Sequence, residues 1–110
     1  MIARIWRGMT AASNADEYLD YLRQTGLKEY HDTEGSRGVF VLRRMQGEHC
    51  EFVMVSLWDS MDAVRRFAGE NAEIAKYYPQ DTHYLLELEP HVRHYEVADV
   101  LDLEGLASRT

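Results

Sequence analysis

Apolar and polar residues alternate with two different periods along this chain, and the changes of period divide it into elements. Residues 2–7 set Ala3 and Ile5 on one side and Ile2, Arg4 and Trp6 on the other, the two-residue period of a strand, which Gly8 closes. Ser13 and Asn14 then precede Asp16 and Glu17 as a helix cap would, and Ala15, Tyr18, Leu19 and Leu22 recur at helical spacing. The spacing predicts a first helix reaching about Tyr30, frayed at Gly26. A polar loop over 31–38 leads to an apolar run over 39–45, and a turn at Gln46-Gly47 joins it to a second run over 50–58, which together read as a β-hairpin.

Asp59 or Ser60 caps a further helix that carries Ala63, Val64, Phe67 and Ala68 on one side. Gly69 separates it from a second helical piece over 72–77, which Pro79 stops. A last extended segment is predicted over 82–97, where Pro90 marks a bulge, an edge, or a point at which the strand changes partners. Strand, helix, hairpin, helix and strand in this order define an α+β, ferredoxin-like βαββαβ fold with an antiparallel sheet, in one domain over residues 1–98 with a tail over 99–110. The tail carries Leu103 and Leu106 among acidic residues and reads as a short edge-covering helix or as disorder.

The second strand of the hairpin is apolar on both faces: Phe52, Met54 and Trp58 share one, Val53, Val55 and Leu57 the other. Helices on one side of a sheet cover one face only, and an antiparallel sheet facing water should be polar there. Exposed apolar area is worth roughly 25 cal/mol per Å² to whatever buries it, so a homodimer packed sheet to sheet, a dimeric α/β barrel, is expected.

Composition narrows the partners. The 12 Lys and Arg against 19 Asp and Glu give a formal net charge of -7, which disfavours nucleic acid. No apolar run has the length of a membrane span and the first thirty residues lack the pattern of an export signal, so no membrane partner is expected. A single cysteine, Cys50, excludes an internal disulfide and suits a reducing cytoplasmic compartment.

Particular stretches are similar to a known family. Ser56-Leu57-Trp58-Asp59-Ser60 closes a central strand, Arg66-Phe67-Ala68-Gly69 lies on the next helix, and Tyr77-Tyr78-Pro79-Gln80-Asp81 ends it. With Leu85-Leu86-Glu87-Leu88-Glu89-Pro90 and His94-Tyr95-Glu96-Val97, these resemble the antibiotic biosynthesis monooxygenase superfamily of dimeric α/β barrels over about residues 2–97. The resemblance implies the fold and two activities. Some members are cofactor-free monooxygenases that oxidise aromatic polyketides or quinols with O₂; others degrade heme. The heme degraders place an Asn, a Trp and a ligating His where this chain has Trp6, Phe67 and Tyr77, so their mechanism is not implied, although a Tyr77 phenolate is a chemically competent axial ligand.

A cofactor-free oxygenase needs a base, one or two donors and a dry aromatic cavity. His83 is the candidate base because imidazole titrates near neutral pH, and Tyr77 and Tyr78 are candidate donors to an oxyanion, or else amphipathic anchors of a helix end. Trp58 either offers its indole N–H to a substrate oxygen or packs. Arg4 either stabilises a phenolate or pairs with Glu87, while Trp6, Phe52, Met54 and Phe67 are candidate walls for a small aromatic molecule. No metal is expected: His91 and His94 would point to opposite strand faces, and His83, Glu87 and His91 would stand about 13 Å apart. A glycine-rich nucleotide loop is absent, and no cofactor is expected. A non-catalytic small-ligand-binding barrel is the alternative use of the same cleft.

Overall fold

The strict alternation of β1 (Ile2–Ala11) governs the architecture. Arg4, Trp6, Gly8 and Thr10 are buried, while Ala3, Ile5, Arg7 and Met9 between them are only half-buried. In the computed structural model, which describes residues 1–101, β1 pairs antiparallel along its whole length with β3 (His49–Trp58). β3 forms the predicted hairpin with β2 (Ser36–Gln46), its turn at Gly47 in the left-handed region with φ 63°. Cys50, Phe52, Met54, Ser56 and Trp58 continue the buried face, and Glu51, Val53, Val55 and Leu57 the open one.

The helices among the described residues pack on the buried face. They are α1 (Ala15–Gln24), α2 (Gly26–Asp32), α3 (Met61–Ala68) and the single turn α4 (Asp81–Tyr84). Ser60 caps α3 by accepting the Ala63 N–H at 3.2 Å. The expected cap at the first helix takes another form: Ser13 and Asn14 lie in a 3₁₀ turn, and neither side chain caps α1. The first helix breaks at Thr25, whose hydroxyl donates to the Tyr21 carbonyl at 2.8 Å, and resumes at Gly26.

The second half of the chain departs from its sequence pattern in two places. Residues 72–77 are not a helix, because the Ala72 and Ile74 carbonyls receive the Arg4 guanidinium and Ala75 N donates to the Pro90 carbonyl at 2.9 Å. The extended segment expected over 82–97 is divided as well. Its first residues belong to α4, β4 (Leu85–Glu87) pairs with the end of β1, and β5 (Arg93–Glu96) pairs with its beginning. Between them the chain leaves β1 around Pro90 to bridge Ile74 through His91, and Val92 N donates to the Glu73 carbonyl at 2.8 Å. Pro90 thus marks an interruption, where the extended segment leaves β1 before returning to it as β5.

The result is an antiparallel, ferredoxin-like α+β sheet in the order β2-β3-β1-β4, with β5 also on β1 and the sheet not closed. Its open face carries Ile5, Val55 and Phe40 in one cross-strand row and Val53 and Leu42 in the next. Most of the predicted tail lies outside the described residues, and no described helix is long and apolar enough to cross a membrane.

Gly8 has a steric role on the buried face. A Cβ there would approach Trp6 Cη2 to 2.4 Å and Leu85 Cδ2 to 3.0 Å. Gly8→Ala is therefore expected to displace the Trp6 ring and lower stability by about 1–3 kcal/mol in urea unfolding, whereas an unchanged midpoint would show that the ring yields freely.

Candidate functional site

The helices and the irregular segment 69–80 close over one end of the sheet and leave a narrow cleft. Its floor is Arg4, Trp6 and Met54; α1 and α2 contribute Tyr18, Leu22 and Tyr30, and α3 contributes Phe67. Lys76, Tyr78 and Asp81 roof it, and the remaining space is about 10 Å³, enough for one water molecule. A larger basin of about 590 Å³ lies on the opposite, open sheet face, bounded by Arg7, Glu89, His91 and Arg93.

Arg4 is 2% exposed. Its Nη1 donates to the Ala72 carbonyl at 2.5 Å, its Nη2 to the Ile74 carbonyl at 3.4 Å, and Nη1 also lies 3.0 Å from His94 Nε2. The neutral His94 tautomer with its proton on Nδ1 suits that contact, and burial, helped by the Arg4 charge, pulls the His94 pKa down. Burial also lowers the Arg4 pKa. The pairing of Arg4 with Glu87 considered from sequence does not form: Glu87 stands opposite Met9, on the other face of the sheet.

A second cluster holds the roof in place. Glu29 on α2 accepts from both Lys76 Nζ and the Tyr78 hydroxyl. Lys76 also donates to the Phe67 carbonyl at 3.1 Å and lies 4.7 Å above the Phe67 ring. Asp81, 3% exposed, accepts from Tyr78 N at 2.5 Å, and the Tyr18 hydroxyl lies 3.5 Å from its other oxygen. Burial raises the Asp81 pKa, partly offset by those hydrogen bonds, and burial followed by the Glu29 contact raises that of Tyr78.

Of the residues singled out from sequence, Arg4, Trp6, Met54, Phe67 and Tyr78 line the cleft together. Tyr77 stands at its margin, edge-on to Trp6 with ring centroids 6.3 Å apart, and its hydroxyl donates to the Glu89 carbonyl. Phe52 and Trp58 lie behind the walls. Phe52 packs on Tyr18, and Trp58 packs on Tyr30 and Phe67, with its indole N–H donating to Ser56 Oγ at 2.9 Å. His83 is exposed on α4, beside the Tyr84 ring and away from the cleft. Asp81, Tyr30, Tyr18 and Lys76 were not singled out. Asp81 follows Tyr78 by three residues across Pro79, and that spacing, which lets its carboxylate turn back to Tyr78 N, is the one local signal of its position.

The raised Asp81 pKa sets a pH dependence. Its acid form is favoured in the folded state, so stability falls as pH rises from the ordinary value of 3.8 through the raised folded value. Asp81→Asn keeps an oxygen for Tyr78 N–H and removes the buried charge. It is expected to melt above the wild type at about pH 7, with the gap narrowing toward about pH 4; parallel melting curves at every pH would show that the carboxylate carries no penalty.

Neither a family model nor a curated protein sequence matches the chain. Solved structures do. A candidate antibiotic biosynthesis monooxygenase from Deinococcus radiodurans superposes with a TM-score of 0.62 at 16% identity, over 96% of this chain and 100% of that one. A second candidate from Bacillus cereus gives 0.62 at 14% identity, over 91% and 97% of the two chains. The heme degrader MhuD of Mycobacterium tuberculosis, solved with two hemes in its active site, gives 0.57 at 18% identity, over 92% and 99%. The chain shares the fold of these structures along nearly all of its length.

Proposed function

We propose that this protein is a homodimeric, cofactor-independent monooxygenase that oxidises a small aromatic or quinol-like compound with O₂ in the cleft above Arg4. The observation that carries the reading is the enclosure of a buried cation, Arg4, and a buried carboxyl of raised pKa, Asp81, within one aromatic-walled cleft. Asp81, rather than the exposed His83, is placed to act as base. It would take a proton from an activated ring carbon or hydroxyl, and the Arg4 charge would stabilise the resulting anion. The anion reduces O₂ and bonds to it, and the peroxide so formed loses water to leave a carbonyl, so that R₂CH₂ and O₂ give R₂C=O and H₂O. Roofing by Lys76 and Tyr78 keeps bulk water from the anion.

The small residual space favours a second reading, a non-catalytic ligand-binding barrel, because any substrate must displace the roof before it enters. Heme fits less well, since its entry needs the larger displacement and the Tyr77 hydroxyl is already engaged with Glu89. Oxygen uptake on a panel of anthrones and hydroquinones separates these readings. The wild type is expected to consume O₂, Asp81→Asn to lose about 100-fold or more, and His83→Ala to stay close to wild type. Binding of these compounds without O₂ consumption would give the cleft to the non-catalytic reading, and a Soret shift on heme titration would reopen the third.

The dimer is proposed on the open sheet face, where Ile5, Val55 and Phe40 lie in register. Sedimentation velocity is expected to give a dimer for the wild type and a monomer for Val55→Lys. A monomeric wild type at micromolar concentration would remove the barrel.

A further inference from the structure

Arg4 presents an electrostatic deficit that the fold leaves open. None of the ion pairs among the described residues includes it; the Tyr30 hydroxyl acts on it, and the carboxylate that does so is the exposed Glu73, beyond ion-pair distance. The terminal nitrogens meet neutral acceptors only, and the Phe67 ring, 5.8 Å away, supplies a partial counter-charge. A cation held this deep without an opposite charge is costly, and proteins usually pair such groups.

Two hydrogen-bond donors are also poorly met. Arg4 Nε and Trp6 Nε1 are buried with no well-aligned partner, the Tyr30 and Tyr77 hydroxyls lying beside Arg4 and Trp6 without completing a regular bond to these atoms, although native proteins leave few such atoms unsatisfied. Both residues line the same cleft and stand two apart on one face of β1, which sets their Cα atoms about 6.6 Å apart. A carboxylate offers one oxygen to each donor and brings the missing charge.

We infer that Arg4 and Trp6 bind the ionised carboxyl group of a small apolar acid, with Met54, Phe67 and Leu22 around its hydrocarbon part. The inference rests on the cleft reading above and refines it: the ligand is an aromatic acid rather than a neutral quinol. A water molecule would satisfy the donors but not the charge. A phenol would have to ionise first, far from its usual range. Phosphate would leave further oxygens against apolar walls. Asp81 lines the same space and opposes a second anion, so its neutralisation strengthens binding.

Calorimetric titration of the full chain with benzoate and with its neutral isostere benzamide tests this. Benzoate is expected to bind and raise the melting temperature, with benzamide weaker by about tenfold or more. Arg4→Gln should abolish that preference and Asp81→Asn should tighten benzoate binding. Arg4 also anchors segment 69–80, so Trp6→Phe, which removes one donor and keeps the ring, guards against a variant that fails to fold. It should weaken benzoate by about tenfold and leave benzamide unchanged. Equal binding of the two ligands, or no loss on either substitution, overturns the inference. O₂ consumption on neutral quinols without benzoate binding would overturn it alone, whereas failure of both assays would remove the cleft reading as well.

Discussion

One buried guanidinium joins the two halves of this protein. Arg4 sits in the middle of the regular sheet, and its donors end on the carbonyls of Ala72 and Ile74, in a segment with almost no regular structure of its own. The buried Ala72 carbonyl would otherwise lack a donor, which costs about as much as a lost hydrogen bond, while the contact to Ile74 lies nearer the surface. The same contacts keep 72–77 from coiling into the helix its composition suits, and they hold Lys76 and Tyr78 over the cleft. The roof and the floor of the candidate site are therefore one interaction.

The second constraint is the two-faced sheet. Helices occupy the side of Phe52, Met54 and Trp58, and among the described residues no helix covers Ile5, Val53, Val55 and Leu57. Those residues are half-buried by their own neighbours, so the unsatisfied area is a broad, shallow band rather than a cluster of protruding side chains. Such a band suits a flat, symmetric contact with a copy of itself. The ion pairs of Arg7 with Glu51 and Glu89, at 2.5 and 2.7 Å, border that band and hold the strands near the open basin. The Glu51 carboxyl is kept below the usual range by its bond to Arg7.

The hairpin, the first strand and the helix around Phe67 were legible because their periods are uninterrupted, although β1 runs on past Gly8 to Ala11 where a close was expected. Legibility failed where long-range contacts overrode local preference. Helix-forming residues at 72–77 are held out of a helix by Arg4 and by the Pro90 carbonyl, partners distant in sequence. The site divides in the same way. Arg4, Trp6, Met54 and Phe67 could be placed together because alternation and helical spacing put them on inward faces, whereas Tyr78 reaches the cleft from a segment that is not the expected helix. Asp81 could not, since its burial arises only once Tyr18 and the turn after Pro79 fold over it. His83, two residues on, has the same local surroundings in sequence and emerges on the outside, because two residues are about half a turn of helix and so separate an inward from an outward position.

The roof also determines how the cleft can work. Glu29 holds Lys76 and Tyr78 from α2, so one carboxylate on the half-buried rim ties the segment to the helical layer, while Tyr77 ties it to Glu89 on the far side. These bonds sit at the part-buried edge, where water can replace them one at a time, whereas the Arg4 contact to Ala72 lies deeper, where it cannot. Loss of the edge bonds alone would uncover Phe67 and Tyr30, stacked with ring centroids 4.4 Å apart, before the guanidinium. A ligand would meet an aromatic wall first and the charge last. That order suits a molecule with an apolar body that is drawn inward by the one unbalanced charge on the floor.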